Sequence, residues 1–165
     1  VHASCPIRAD LAGGWTDTPP LTYELQKGGV CVNVAINLEG RPACVRSSLG
    51  QMPVVASARR LKDPVLVLQP PEDSASSPIV WKTLADIADY HQPLAPGALF
   101  KCAVIALGLI NPNSSQELDQ QLNFNVGGGI EVRTKSTLPQ GSGLGTSSVL
   151  SGALLAVGAR AGAEA

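Results

Sequence analysis

The sequence predicts an α+β fold on three observations. The first half consists of short β-branched runs broken by glycine and proline turns, and from Val80 onward a helical period takes over. Then a cleanly alternating segment around Ile130 leads through a glycine-rich loop into an Ala/Leu-rich tail. A chain of 165 residues lies within the roughly 100–200 residues usual for one domain and can bury a core. We therefore read 1–165 as a single domain.

Taken in order, Val1-His2-Ala3-Ser4 opens directly into a strand-like stretch, and a strand carrying Arg8 is expected to end at the Gly13-Gly14 turn. Cys31 to Ile36 is nearly continuous in apolar character, and Ala43 to Ser47 and Val65 to Leu68 are shorter runs of the same type. Gly28-Gly29, Gly40-Arg41-Pro42 and Asp63-Pro64 punctuate them as turns, and Pro70 to Pro78 forms a polar, proline-bounded loop. Val80, Leu84, Ile87 and Ala88 recur at helical spacing up to about Tyr90. Ala98 to Ile110 reads as a second helix, buried along much of its surface, and Asn111 to Asn125 as a polar excursion. In the following strand Ile130, Val132 and Thr134 share one face while Glu131, Arg133 and Lys135 share the other. The loop from Pro139 to Thr146 runs into a helix spanning about Ser147 to Ala161. Helical character persists to the last residues, so the architecture is expected to be incomplete.

Composition removes several function classes. Lys plus Arg number 12 and Asp plus Glu 13, a net charge of −1, which lacks the basic excess of a nucleic-acid or anionic-membrane surface. Gly (17) and Pro (13) are abundant but not periodic, which excludes collagen. Aromatics make up 4%, leaving few stacking platforms for single strands. Cys5, Cys31, Cys44 and Cys102 have no Cys-x-x-Cys spacing, and His2 and His91 are too scattered for a zinc cluster. Each cysteine sits in an apolar run and is expected to be a buried, reduced thiol. No basic-then-apolar leader opens the chain, and its longest apolar segment, Ala98 to Ile110, contains Lys101 and is too short for a bilayer. We expect no membrane partner and a cytoplasmic location, so the Asn113-Ser114-Ser115 sequon carries little weight.

The glycine loop is the most informative stretch. A strand, three glycines at alternate positions (Gly141, Gly143, Gly145), then Thr146, Ser147 and Ser148 at the start of a helix, is a physical recipe for holding phosphate. Glycine permits positive φ and close backbone approach, so successive N–H groups converge on one concavity. A helix start adds unpaired N–H donors and a positive dipole end, each worth about 0.3–1 kcal/mol where exposed. The hydroxyls can cap the helix, contact phosphate oxygens or join the shell of a Mg²⁺ ion. The spacing is neither that of a dinucleotide-binding turn nor that of a Walker loop. A turn with a hydroxyl cap that binds nothing is the bland alternative.

A second concentrated segment runs from Pro6 to Pro20 and carries Arg8, Asp10, Gly13, Gly14, Trp15, Thr16 and Asp17. Arg and Asp near one turn can simply pair with each other. They can also build a sugar site, in which Asp17 accepts hydrogen bonds from hydroxyls, Trp15 offers an apolar face and Arg8 stabilises phosphoryl charge.

Together the two segments resemble the GHMP small-molecule kinases, the family of galactokinase, homoserine kinase and mevalonate kinase. Pro6-Ile7-Arg8 through Gly13-Gly14-Trp15-Thr16-Asp17 is similar to the first family motif, and Pro139 through Ser148 to the second, ATP-binding motif. The run from Arg8 to Pro20 is most similar to the L-fucose kinase branch, with bacterial heptose-phosphate kinases as near relatives. The resemblance implies a two-layer, mostly antiparallel sheet with helices on one face. It further implies a left-handed β-α-β crossover, against the ordinary right-handed rule. Residues 1–165 would then be a truncated amino-terminal, nucleotide-binding domain, its cleft completed by the rest of the kinase chain.

The activity implied is ATP- and Mg²⁺-dependent phosphorylation of the anomeric hydroxyl of L-fucose to fucose 1-phosphate, for salvage into GDP-fucose. The catalytic basic residue falls on Arg8 and the sugar-binding aspartate on Asp17, flanked by Gly14 and Trp15. ATP falls on Pro139, Gly141, Ser142, Gly143, Leu144, Gly145, Thr146, Ser147 and Ser148, and Mg²⁺ on Ser147 in preference to Thr146.

Two departures from the family pattern matter. Galactokinases carry Glu-His where this chain has Gly14-Trp15. Fucose bears a methyl in place of the terminal hydroxyl, and an indole face covering it would gain about 1 kcal/mol; packing of the turn is the alternative role for Trp15. The family's catalytic aspartate and third glycine motif have no counterpart in 1–165, since Asp10 and Asp17 are misplaced for that role. Loss of a general base costs about 10²–10⁴-fold, so this segment alone is expected to be inactive. Rival readings are a heptose or other sugar-phosphate kinase and a non-catalytic sensor of ATP and sugar. Trp81 is expected in the core rather than stacked on adenine, and Lys135 on a solvated strand face rather than against phosphate.

Overall fold

A computed structural model of the chain describes residues 1–5, 8–14, 16, 18–35, 37–38, 41–42, 53–71, 75–138 and 145–163. The strands are β1 (His2–Cys5), β2 (Arg8–Ala12), β3 (Val32–Ala35), β4 (Asn37–Leu38), β5 (Arg41–Pro42), β6 (Val54–Leu61), β7 (Leu66–Gln69), β8 (Ile79–Trp81) and β9 (Gly129–Ser136). The helices are α1 (Leu21–Glu24), α2 (Leu84–Ile87), α3 (Ala98–Ala106), α4 (Leu118–Val126) and α5 (Thr146–Ala163).

Five strands form one sheet in the order β1-β6-β9-β7-β8, and β2-β3 and β4-β5 form two-stranded ribbons. Both ribbons and the β7-β8 pair are antiparallel, so the architecture is α+β with mostly antiparallel pairing. Val1 and Ala58 exchange both main-chain hydrogen bonds at 2.9 Å, as antiparallel neighbours do. The exception is β7 beside β9, which runs parallel with Leu66 opposite Ile130 and Gln69 opposite Arg133. Parallel neighbours need a crossover, and β8, α2, α3 and α4 supply it.

Period-two alternation decides which face of the sheet is buried. Ala56, Ala58, Leu66, Ile130 and Val132 are sealed from water, whereas Arg59, Gln69, Glu131 and Arg133 occupy the other face. The helices contribute Phe100, Val104, Leu118, Leu122, Val126, Leu154 and Val157 to the core. Gly158 and Gly162 let α5 approach closely, because a Cβ there would meet Leu107 at 2.6 Å and Leu109 at 2.9 Å.

The chain divides into two compact units. One comprises Val1–Ser4, Val55–Lys135 and Leu150–Ala165; the other comprises Cys5–Val54 and Ser136–Val149. Within the second unit, Thr137 donates its N–H to Pro53 O at 2.9 Å, which fixes the chain at the exit of β9.

Several elements differ from the sequence expectation. Val80 and Trp81 belong to a strand, because Val80 pairs with Val67, and the helix begins only at Leu84. Its start is set by a capping box: Thr83 Oγ1 accepts the Asp86 N–H, and Asp86 accepts the Thr83 N–H. Helix α3 ends at Ala106 instead of Ile110, since Gly108 turns the chain with φ 71°. The polar stretch before Asn125 contains α4, which buries Leu118, Gln121, Leu122 and Val126. Strand β6 has no counterpart in the sequence reading because, after Val54, its inward positions are Ala56 and Ala58, poor strand formers. The expected strand at Ala43 to Ser47 lies outside the described residues. Cys5 and Cys31 are half-buried and Cys102 is exposed, so these free thiols are not the buried groups expected. Cys44 lies outside the described residues.

Among the described residues, one charge is fully inside. Lys101 is 1% exposed, its ammonium pairs with the Asp89 carboxylate, and it sits 5.0 Å from the centroid of the Trp81 ring. Truncating Asp89 strands a buried cation, whereas replacing Lys101 with an apolar chain of similar shape removes the need for the partner. Asp89→Ala is therefore expected to cost about 1–3 kcal/mol, less than for a fully buried pair because Asp89 is partly exposed, and Lys101→Met less than about 1 kcal/mol. Chemical denaturation of both variants checks this ordering.

Asp86 offers a pH test. Main-chain N–H groups of Lys82 and Thr83, both 2.9 Å away, hold its carboxyl below the usual carboxylate range. A depressed folded-state pKa means stability present at neutral pH and lost as pH falls through the folded value. Asp86→Ala is expected to cost about 1 kcal/mol at neutral pH as a lost cap. Thermal melts in acid should show a smaller difference from wild type, the effect being modest because the group is exposed.

Candidate phosphate and sugar site

Helix α5 starts where the backbone needs glycine. Gly145 has φ 68°, the left-handed region, and Thr146 begins the helix directly after it. Val149 N–H donates to Gly145 O at 3.0 Å, which ties the first turn of the helix, Thr146 to Ser148, to that glycine. Of the three hydroxyls, Ser148 donates to Gly145 O at 2.9 Å and so braces the turn. Thr146 is half-buried and Ser147 exposed. Pro139, Gly141, Ser142, Gly143 and Leu144 lie outside the described residues.

The first motif is carried on the β2-β3 ribbon. Arg8 pairs with Ala35, Ala9 with Val34 and Asp10 with Asn33, and an irregularity follows before Ala12 meets Val32. This places the backbone of Arg8 inside the ribbon; its side chain, and Trp15 and Asp17 entirely, lie outside the described residues. At the turn beyond β2, Gly13 has φ 79°, and a Cβ there would fall 1.9 Å from Val30 O. Gly14 is different: it is exposed, and a Cβ would meet only Asp10 Oδ2 at 3.7 Å. The Thr16 N–H donates to Gly13 O at 3.0 Å, and its hydroxyl lies 2.7 Å from Gly13 O and 3.1 Å from Val30 O. Cys31 Sγ stands 3.9 Å from Asp10 Oδ1 and accepts from Asn33 Nδ2 at 3.5 Å. Thr16 is the residue that sequence reasoning passed over, its signal being a hydroxyl two positions beyond a glycine pair.

The two motif segments, distant in sequence, fall in the same compact unit, Cys5–Val54 with Ser136–Val149. A cavity of about 730 Å³ contains none of their residues; it is lined by Val1, His2, Arg59, Arg60, Glu131 and Arg133 among others. Trp81 is 4% exposed and packs on Phe100 with ring centroids 6.0 Å apart, a core role. Lys135 is exposed on β9. Among the described residues, no group of three or more His, Cys, Asp or Glu side chains could hold a metal. No helix among them is long and apolar enough to cross a membrane. The hydroxyl oxygens at the start of α5 are hard donors of the type Mg²⁺ accepts when substrate phosphates complete its shell.

Residues 101–164 match the family described as GHMP kinases N terminal domain. The chain is 37% identical over 158 residues, 94% of its length, to an L-fucokinase/L-fucose-1-P guanylyltransferase of Bacteroides fragilis. It is 31% identical over 150 residues, 91% of its length, to a bifunctional fucokinase/GDP-fucose pyrophosphorylase of Arabidopsis thaliana. The chain spans only 15% and 12% of these relatives.

The two glycines of the turn make opposite demands. Gly13→Ala should cost about 2 kcal/mol or more, because positive φ and the Val30 carbonyl both reject a side chain. Gly14→Ala should stay within about 0.5 kcal/mol of wild type. Denaturant midpoints of the two single variants check the contrast.

Proposed function

The chain belongs, through residues 101–164, to the GHMP kinase family, and from that premise we propose that it is the amino-terminal, nucleotide-binding part of a sugar kinase. The reaction proposed is transfer of the γ-phosphoryl group of ATP to the anomeric hydroxyl of L-fucose, giving fucose 1-phosphate. One observation carries the reading: the sugar-type motif and the start of the phosphate-type helix occupy one compact unit. The fucokinase names of two relatives with 37% and 31% identity support the choice of sugar.

In this reading the loop from Pro139 to Gly145 and the first turn of α5 bind the polyphosphate through main-chain N–H groups. The left-handed Gly145 turns the backbone into that first turn, and Ser148 holds the turn closed through its bond to Gly145 O. Ser147, with Thr146 as the alternative, offers a hydroxyl oxygen to Mg²⁺, which when bound offsets charge on the transferring phosphoryl group. Arg8 adds a guanidinium to the same task. Asp17 accepts hydrogen bonds from sugar hydroxyls, Gly14 adds no side chain to the site, and Trp15 covers the methyl of the 6-deoxy sugar. The remainder of the kinase completes the cleft and supplies the general base, so residues 1–165 alone bind ATP without transferring phosphate.

A sugar panel assayed with ATP and Mg²⁺ on the complete protein tests this. The expected result is ADP release with L-fucose, a fall of about 10²-fold or more in kcat/KM for Asp17→Ala, and a raised L-fucose KM for Trp15→Ala. Preference for a heptose phosphate moves the assignment to that kinase branch. Sugar and ATP binding with no ADP release makes the protein a sensor. An unchanged L-fucose KM in Trp15→Ala removes the methyl-covering role.

A further inference from the structure

We infer that Thr16 is a positioning residue for the sugar site, its hydroxyl fixing the turn that carries residues 15 and 17 to the carbonyl of Val30; this rests on the sugar-kinase reading above. The Thr16 side chain contacts two separate pieces of backbone. Its hydroxyl reaches Gly13 O at 2.7 Å within its own turn and Val30 O at 3.1 Å in the segment leading into β3. A hydroxyl has one proton, so it is shared between the two carbonyls and tethers both. The same Val30 carbonyl lies where a Cβ of Gly13 would sit, 1.9 Å away, so turn and strand approach lie in direct apposition. The Thr16 N–H, bonded to Gly13 O at 3.0 Å, closes the turn but does not reach Val30.

The contact to Val30 is solvent-exposed, so water can replace the lost hydroxyl at Val30 O, and the fold loses little. What changes is geometry. Residues 15 and 17 are the chain neighbours of Thr16, so freedom gained at 16 passes directly to both. An active site pays for such looseness in substrate placement before it pays in stability.

The test compares Thr16→Val, which keeps the branched shape, with Thr16→Ser, which keeps the hydroxyl, in the complete kinase. Thr16→Val is expected to raise the L-fucose KM about tenfold while the ATP KM stays within about twofold. Thr16→Ser should bring the L-fucose KM back to within about threefold of wild type. If the valine methyl crowds the turn and prevents folding, Thr16→Ala removes the hydroxyl without crowding and must show the same split. An unchanged L-fucose KM in folded Thr16→Val or Thr16→Ala, a parallel rise in both KM values, or a serine variant as impaired as valine overturns the inference. A wild-type protein that turns over no sugar overturns the kinase reading and this role with it, a result distinct from the others because it needs no variant.

Discussion

The hydrogen bonds that place β9 between β6 and β7 leave that strand no freedom to slip. A shift of one residue would turn Ile130 and Val132 outward and bring Glu131 into the core. Glycine guards the start of the strand: a Cβ on Gly128 would meet Leu61 O at 2.2 Å, and one on Gly129 would meet Asp63 O at 2.2 Å. On the outer face Glu131 joins three strands, accepting from Arg59 at 2.9 Å and Gln69 at 2.8 Å. Burial pushes the Glu131 carboxyl up, but the Gln69 and Arg59 contacts outweigh it and hold the group below the usual carboxylate range. Because Arg59 is 70% exposed, this clamp selects register more than it adds stability. Register in turn fixes where the chain leaves the sheet at Ser136 on its way to the glycine loop.

Elements with strong local signals were readable from the residues. The alternation in β9 and the Ala/Leu-rich composition of α5 each persist over many residues, and both elements emerge within two residues of the expected bounds. Helix α4 escaped notice because its buried stripe is only one residue wide: Leu118, Leu122 and Val126, with Gln121 beside them. Gln121 survives burial because its side-chain amide accepts from Asn111 N at 2.7 Å and donates to Gln116 O at 2.8 Å. A polar residue satisfied in this way reads as loop in a sequence. Strand β8 was hidden by a coincidence of spacing, since Val80 lies four positions before Leu84 yet owes its place to a partner, Val67, that no local pattern reveals.

The candidate site was legible in the same uneven manner. Glycines flagged two turns, and their positive φ values at Gly13 and Gly145 agree with the need for unusual backbone. Sequence alone could not separate Gly13, which has no room for a side chain, from Gly14, which has. That difference is made by the Val30 carbonyl, delivered from the far side of the β2-β3 ribbon. Attention to charged and aromatic residues likewise favoured Arg8, Trp15 and Asp17 over Thr16, whose contribution depends on a carbonyl 14 residues away.

The space of about 730 Å³ beside Arg59, Arg60 and Arg133 has the charge of an anion site. Its guanidinium groups, however, already have protein partners: Arg59 is bonded to Glu131, Arg60 donates to Ala161 O at 3.3 Å, and Arg133 also interacts within the chain. An incoming phosphate would have to share Arg59 with the Glu131 carboxylate, whose charge repels it. In the reading proposed for α5, the polyphosphate meets main-chain amides and a helix dipole instead of a guanidinium already paired with a carboxylate. The chemistry of the donors, more than the volume they enclose, decides which concavity suits a polyphosphate.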